Sequence, residues 1–94
     1  MAEVKVRLFA NLKEVAGTSE LILPGDTVLE VLEALVRQFP DLKDMIFETT
    51  ASGPRLCGYV NVFLNGDNIG HLDGLWTNIS NNDELGVLPP VSGG

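Results

Sequence analysis

A single long amphipathic helix is the strongest local pattern in this chain, and it limits the folds that the chain can adopt. Thr27 and Glu30 form a capping box: the Thr27 side chain accepts a hydrogen bond from the Glu30 amide, and the Glu30 carboxylate reaches back to the Thr27 amide. The apolar residues that follow recur at helical spacing on one face: Val28, Leu32, Leu35, Val36 and Phe39. Because Pro40 disfavours helical backbone in the residue before it, the sequence predicts a helix over Val28–Phe39.

Two segments before this helix have the pattern of strands. Glu3–Ala10 alternates between apolar and polar residues, which predicts a strand with one buried face. Phe9 lies on the opposite face of that strand by the same alternation. Asn11–Ala16 has room for one helical turn, and Glu20–Leu23 is a second apolar run that can pair with the first strand as a hairpin.

Three further strands are predicted after the helix. Tyr59–Leu64 alternates again, with Phe63 facing outward. The Asn-Gly pair at 65–66 is the strongest short turn signal in the chain, and Asp67–Ile69 can return as a short strand. Leu85–Leu88 is the last strand, because two prolines follow it and end the pairing.

The order of these elements predicts an α+β fold with a mixed sheet of four or five strands. Asp41–Phe47 can form a short second helix, and the small, polar segment Glu48–Arg55 is predicted to be a mobile or inserted loop. If the first and last strands pair in parallel at the centre, the fold is the β-grasp (ubiquitin-like) roll. A ferredoxin-like arrangement needs a second long helix, and Asp41–Phe47 is too short for one.

The charge and composition of the chain disfavour several classes of function. Six basic residues are scattered among thirteen acidic ones, for a formal charge of −7, which disfavours nucleic-acid binding and favours a basic protein partner. Uninterrupted apolar runs are too short to cross a membrane, and the first residues lack the features of a secretory signal. A single cysteine fits a reducing compartment. We therefore expect a cytoplasmic protein that binds neither nucleic acid nor membrane.

Few side chains in the sequence are candidates for catalysis or metal binding. Cys57 is the only cysteine and His71 the only histidine, which excludes a two-histidine metal site. Neither a Cys–His pair nor a serine triad is favoured by the pattern, which is typical of a small core or loop cysteine and a loop histidine. Pairs of carboxylates such as Glu30 and Glu33 lie on a helix face that the pattern predicts to be solvated. The sequence predicts no catalytic residue, no metal site and no bound cofactor.

The C-terminal segment LPPVSGG, residues 88–94, is the exception. Two prolines hold the chain extended, and Gly93 and Gly94 end it without side chains, so that it can enter a tunnel too narrow for a Cβ. The α-carboxylate of Gly94 is ionised at neutral pH and can attack the α-phosphate of ATP, which gives an electrophilic acyl adenylate. An inert, frayed terminus is the alternative. We predict a domain over residues 1–88 and a flexible tail over residues 89–94.

These features resemble the MoaD/ThiS family of ubiquitin-like sulfur carriers. The tail LPPVSGG is similar to the Phe-Pro-Pro-Val-x-Gly-Gly end that is common in that family, and VRLFANLKEVAG resembles its first strand and turn. YVNVFLNGDNI and the region that follows it resemble the long archaeal form of MoaD and the small archaeal modifier proteins. The chain departs from the pattern in two places: Leu88 stands where phenylalanine is usual, and the region 44–59 is longer than in short bacterial MoaD.

The resemblance implies a carrier whose Gly94 is adenylated by an E1-like enzyme that consumes ATP. It leaves two fates open: conversion to a thiocarboxylate that donates sulfur in molybdopterin synthesis with a MoaE-like large subunit, or conjugation to lysines of target proteins. A plain interaction domain with an inert tail is a third reading. The resemblance to small archaeal modifiers favours a protein with both roles. We expect the chain to be a monomer when free.

The outward-facing apolar residues predict where such partners bind. By alternation, Phe9, Phe63 and Leu88 lie on the sheet face away from the helix, where an isolated domain favours polar side chains. Three apolar residues from separate strands form a contiguous patch, which is typical of a protein interface. The start of the tail continues this predicted partner surface through Pro89, Pro90 and Val91.

Overall fold

Seven strands and three α-helices form the part of the chain that the computed structural model describes, residues 2–56 and 60–89. The helices are α1 (Ala10–Ala16), α2 (Val28–Gln38) and α3 (Lys43–Ile46), and a 3₁₀ helix at Pro40–Leu42 precedes α3. The strands are β1 (Glu3–Leu8), β2 (Glu20–Pro24), β3 (Phe47–Thr50), β4 (Gly53–Leu56), β5 (Asn61–Leu64), β6 (Asp67–Asn68) and β7 (Glu84–Leu88).

The first and last strands lie side by side at the centre of the main sheet, whose order is β2-β1-β7-β5-β6. β1 and β7 are parallel, with Lys5 opposite Glu84 and Leu8 opposite Val87. The other neighbouring strands are antiparallel. This confirms the predicted mixed five-stranded sheet and the parallel central pair that defines the β-grasp arrangement.

The predicted helix is confirmed as α2, although it ends at Gln38 and Phe39 is its C-terminal cap. The Thr27 hydroxyl accepts a hydrogen bond from the Glu30 amide at 3.2 Å, as predicted. The Glu30 carboxylate accepts at 2.7 Å from the amide of Asp26, so the predicted bond to the Thr27 amide is wrong by one residue. The backbone around Thr27 pairs instead with Asn78 as an isolated β-bridge, which fixes the entry to the helix.

The hydrophobic core lies between α2 and the inner face of the main sheet. The side chains with 2% or less of their surface exposed are Val4, Val6, Leu8, Leu12, Val28, Val31, Leu32, Leu35, Leu42, Ile46, Val62, Leu85 and Val87. Val36 is half-buried and packs against this core, whereas Val31, which the helical spacing did not single out, is fully buried. The chain before the helix covers Val31 closely, since a Cβ on Gly25 would lie 2.6 Å from Cγ2 of Val31.

The segment predicted to be a loop, Glu48–Arg55, is a hairpin, so that prediction is wrong. β3 and β4 pair antiparallel in a separate two-stranded sheet. The Thr50 hydroxyl donates to the Gly53 carbonyl at 2.6 Å across the turn, and Glu48 and Arg55 form an ion pair. The polar, small residues of this segment show no alternating apolar pattern, and the apolar residues that anchor the hairpin, Phe47 and Leu56, pair just outside it and pack in or against the core. The Asn65-Gly66 turn is confirmed, with both residues at positive φ.

Candidate functional site

Three apolar side chains gather on the outer face of the main sheet, the face away from α2. Phe63 on β5 is opposite Gly86 on β7, and Leu88 lies two residues further along β7. A Cβ on Gly86 would lie 3.6 Å from Cε2 of Phe9 and 3.8 Å from Cδ1 of Leu88. The structure therefore brings the three predicted partner residues together around one glycine. We call Phe9, Phe63, Gly86 and Leu88 the outer-face patch.

Phe9 reaches this patch by a different route from the predicted one. The strand Glu3–Ala10 was expected to carry it, but β1 ends at Leu8 and Phe9 is the N-terminal cap of α1. Its carbonyl accepts from the amides of Leu12 and Lys13, so the residue is fixed by the first turn of the helix. Its backbone remains extended, which keeps the ring on the outer side of the sheet with 39% of its surface exposed.

Arg7 on β1 lies beside the patch. Its guanidinium is 5.9 Å from the centroid of the Phe9 ring, within the range of a cation–π contact. Nη1 lies 3.1 Å from Oε1 of Glu84, and Nε lies 3.5 Å from Oε2 of Glu20. Arg7 thus connects β2, β1 and β7 across the outer face, although each partner is about half exposed and such pairs are individually weak.

The sequence reasoning missed Arg7 and Gly86 as parts of this surface. A glycine inside a predicted strand was the available signal for Gly86, because such a glycine marks a bulge, a bend or a close approach of another molecule. Arg7 carried no local signal, since its partners Glu20 and Glu84 come from distant parts of the sequence. Ile22 on β2 is also exposed on this face, 58% of its surface, but it lies at the edge of the sheet.

β7 ends beside the outer-face patch, at Leu88. Leu88 is half-buried and pairs with Asn61, and Pro89, also half-buried, is the last residue that the structure describes. The predicted site residues Pro90, Val91, Gly93 and Gly94 lie outside the described residues, as does Cys57. An extended chain spans at most about 3.3–3.6 Å per residue, so Gly94 lies within about 18 Å of Pro89.

The remaining candidates form no second site in residues 2–56 and 60–89. His71 is exposed on a short 3₁₀ helix, Ile69–His71. No group of three or more His, Cys, Asp or Glu side chains in this part of the chain could hold a metal ion. No helix within it is long and apolar enough to cross a membrane.

Comparison with known proteins agrees with this geometry. The ThiS family profile matches residues 6–94. Small archaeal modifier protein 3 of Haloferax volcanii is 35% identical over 98% of this chain and 99% of its own length. The molybdopterin synthase sulfur carrier subunit of Arabidopsis thaliana is 33% identical over 98% of this chain and 83% of its own length. The solution structure of small archaeal modifier protein 1 from Methanosarcina acetivorans has a TM-score of 0.92 and 54% identity, covering 100% of this chain and 98% of that one.

Similar proteins are also known in complexes. The BexX/CysO complex of Amycolatopsis orientalis contains a chain with a TM-score of 0.84 and 25% identity, which covers 97% of this chain and 99% of that one. The similar proteins are named as modifiers and carriers rather than as enzymes. The predicted resemblance, the β-grasp fold and the carrier class are therefore confirmed.

Proposed function

Because this chain belongs to the ThiS family, we propose that its Gly94 carboxylate is activated by an E1-like adenylating enzyme and then serves as a sulfur carrier and a protein modifier. The carboxylate oxygen attacks the α-phosphate of ATP, and pyrophosphate leaves. A hydrosulfide ion or a lysine amine then attacks the acyl carbon and displaces AMP with loss of a proton, which gives a thiocarboxylate or an isopeptide bond respectively. ATP is consumed by the activating enzyme, and the carrier holds no cofactor of its own.

One observation carries this proposal: the family match continues through residue 94, beyond the end of the sheet. β7 ends at Leu88, so six residues separate the central strand from the terminal carboxylate. The domain holds β7 between β1 and β5, so the strand from which those residues follow is fixed on both sides. Such a tail can reach into another protein while the domain remains outside.

The outer-face patch is the proposed docking surface for the adenylating enzyme and for a MoaE-like large subunit. Its apolar side chains remain partly exposed to solvent, and Leu88 connects it directly to the tail. Pro89, Pro90 and Val91 continue this surface toward Gly94. The chain is proposed to act in the cytoplasm and to be a monomer when free.

Two fates of the activated terminus are supported by the names of the relatives. Similarity to small archaeal modifier protein 3 supports conjugation to lysines of target proteins. Similarity to a molybdopterin synthase sulfur carrier subunit supports sulfur transfer in molybdopterin synthesis. We propose that the chain performs both; the alternative is a dedicated MoaD-type small subunit of molybdopterin synthase that modifies no proteins. A plain interaction domain differs from both because its terminus is never adenylated.

Activation is tested with the cognate adenylating enzyme, ATP and a sulfide donor. Intact mass measurement is expected to show an oxygen-to-sulfur exchange at Gly94 in the wild-type chain. Deletion of Gly94, or one residue added after it, removes the carboxylate from the reacting position and stops the reaction. Gly93→Val blocks a narrow tunnel and has nearly the same effect. Thermal melting of each variant is the control, and continued adenylation of a chain without Gly94 would contradict the proposal.

The two fates are separated in cells. Immunoblots of native lysate show a ladder of conjugates if lysines are modified, and only the free chain if they are not. Pterin cofactor content in cells whose chain lacks Gly94 reports the sulfur-transfer role. Loss of the cofactor without any ladder in the wild type identifies the dedicated subunit of molybdopterin synthase.

A further inference from the structure

Trp76 is the most exposed large apolar side chain in residues 2–56 and 60–89, with 70% of its surface open to solvent. It is the only tryptophan of the chain and ends a short 3₁₀ helix, Gly74–Trp76. Leu72, just before this helix, is 43% exposed. Tryptophan is on average a well-buried residue, and it is enriched where proteins bind each other. We call Leu72, Asp73 and Trp76 the Trp76 surface.

The turn that carries Trp76 is held by a set of local hydrogen bonds. The buried Thr77 hydroxyl donates to the Gly74 carbonyl at 2.8 Å and accepts from the Asp73 amide at 3.0 Å. The Trp76 amide donates to the Asp73 carbonyl at 3.1 Å. Leu75 packs against the hydrophobic core. The turn therefore buries one apolar residue and presents the next one to solvent in a fixed position.

The Trp76 surface lies on the helix side of the sheet. Gly74–Trp76 packs against α2. The Val28 amide, at the start of α2, donates to the Thr77 carbonyl at 3.0 Å, and Asn78 forms the isolated β-bridge with Thr27. Because α2 covers the inner face of the sheet, this surface shares no residue with the outer-face patch.

The two stretches of chain that meet at Trp76 are acidic. Residues 14–36 carry five acidic residues and residues 56–94 carry four, and neither stretch contains lysine or arginine. Asp73 begins the turn of Trp76, and Asp26 and Glu30 lie at the start of α2, all three exposed. Among the described residues the ion pairs involve only two cations, Arg7 and Arg55. The carboxylates around Trp76 therefore have no pairing cation from this part of the chain.

We propose that the Trp76 surface binds a basic segment of a partner protein, with an arginine or lysine side chain over the indole ring. The face of tryptophan attracts such cations more strongly than the face of any other side chain. The carboxylates of Asp73, Asp26 and Glu30 add to this attraction and leave the ring accessible. An acidic partner, or a second copy of this chain, is repelled by the formal charge of −7. This inference goes beyond the proposed function and does not depend on activation of Gly94.

The fluorescence of Trp76 tests this binding directly, because no other tryptophan contributes to it. The probe is a short peptide of alternating arginine and leucine with blocked ends, and the controls replace its arginines with glutamine or glutamate. The arginine peptide is expected to shift the emission to shorter wavelength in a saturable manner, as the ring leaves water. Its affinity is expected to fall as salt is added, because salt screens the charges. The glutamine peptide is expected to bind at least about tenfold more weakly, and the glutamate peptide not at all.

Substitutions separate a site at Trp76 from attraction by net charge alone. Trp76→Ala keeps every charge and is expected to weaken binding of the arginine peptide at least about tenfold, as measured by calorimetry. Asp73→Asn is expected to weaken it about two- to fivefold, the effect of one exposed charge. Ile22→Ala removes another strongly exposed apolar side chain, on the other side of the sheet, and is expected to leave the affinity unchanged. Each variant is expected to melt like the wild type, since only exposed side chains change.

Each other outcome decides against the proposal. An affinity that is unchanged in Trp76→Ala, or equally reduced in Ile22→Ala, would show that the peptide is held by net charge alone. An emission shift with the glutamate peptide, or one that grows with protein concentration in the absence of peptide, would identify a different occupant. Loss of the fold in Trp76→Ala would show that the ring serves the domain itself. Failure of the wild type to be adenylated would contradict the proposed function only, because peptide binding does not involve Gly94.

Discussion

The two faces of the main sheet differ in how far their apolar side chains are buried. The inner face is covered by α2, and its central side chains are fully buried: Val4, Val6, Leu85 and Val87. The outer face carries apolar groups that are exposed or half-buried, Phe9, Phe63 and Leu88, next to the ion pairs of Arg7. Both faces are apolar in part, but only the inner one has a partner within the chain.

This difference separates the residues that hold the domain together from those that the proposed function assigns to partner binding. Burial of an apolar side chain stabilises the fold in proportion to the area removed from water. An exposed apolar group contributes less to folding, so its presence on one continuous surface indicates binding. Substitutions on the inner face are therefore expected to lower the free energy of unfolding more than substitutions on the outer face.

Leu32→Ala is expected to have the largest effect on that scale. Leu32 is fully buried on α2 against the inner face, and removal of such a side chain costs about 2–5 kcal/mol of stability. Urea denaturation measures the loss, and Leu32→Met, which nearly conserves volume, is the control with a cost of less than about 1.5 kcal/mol. A loss no greater than that of the control would place Leu32 outside the core.

Gly25→Ala is expected to follow, with a loss of about 1–3 kcal/mol from overpacking against Val31. The substitution is matched by Gly86→Ala, which adds the same methyl group on the central strand at ordinary contact distances, where removing a glycine stabilises the strand. Opposite signs in the two melting temperatures, lower for position 25 and higher for position 86, are the expected result. Equal shifts would remove the distinction between the two glycines.

Thr27→Ala removes the hydroxyl that caps α2 and is expected to cost about 1 kcal/mol. The bond at stake joins the Thr27 hydroxyl to the Glu30 amide. Thr27→Ser keeps the oxygen and is expected to retain most of the stability, as measured by denaturant midpoint. A full loss in the serine variant would attribute the effect to the methyl group rather than to the cap.

Phe9→Glu is expected to have the smallest effect on stability, within about 0.5 kcal/mol, because an exposed side chain is replaced by a polar one. It is also expected to abolish binding to the adenylating enzyme, measured by calorimetry, since a charge would enter an apolar contact. Phe9→Leu keeps the apolar character and serves as the control. Normal binding by a folded Phe9→Glu chain would show that the outer-face patch is not the docking surface.

The sequence predicted the elements whose apolar residues repeat with a clear period. α2 and the central strands were found because Leu32, Val6 and Val62 recur at the spacing that burial demands. The hairpin over Glu48–Arg55 was not found, because its residues are small or polar and its apolar anchors, Phe47 and Leu56, lie just outside it. Its cross-strand contacts, such as the exposed ion pair of Glu48 and Arg55, depend on strand pairing, which no local sequence pattern displays.

The sequence predicted which apolar residues belong to the site but not how the fold positions them. Alternation identified Phe63 and Leu88 correctly as outward-facing residues. Phe9 also faces outward, but it does so as the cap of α1, a detail that depends on where β1 ends. The roles of Arg7 and Gly86 depend on the pairing of β1 with β7, two strands that are far apart in the sequence. The Gly94 tail was predicted from residue type alone, and the described residues end before it.

The central parallel pair also governs how the chain folds. Arg7 and Glu84, which contact each other across β1 and β7, are separated by 77 positions in the sequence. The β1–β2 hairpin and α2 involve near neighbours, whereas the β1–β7 pairing closes almost the whole chain into a loop, and folding slows as contacts become less local. Without β7, the two hairpins β1–β2 and β5–β6 share no edge, because β7 alone joins them. A shortened chain that lacks this strand therefore has no continuous sheet for α2 to cover, and the domain forms only when its last strand takes its place.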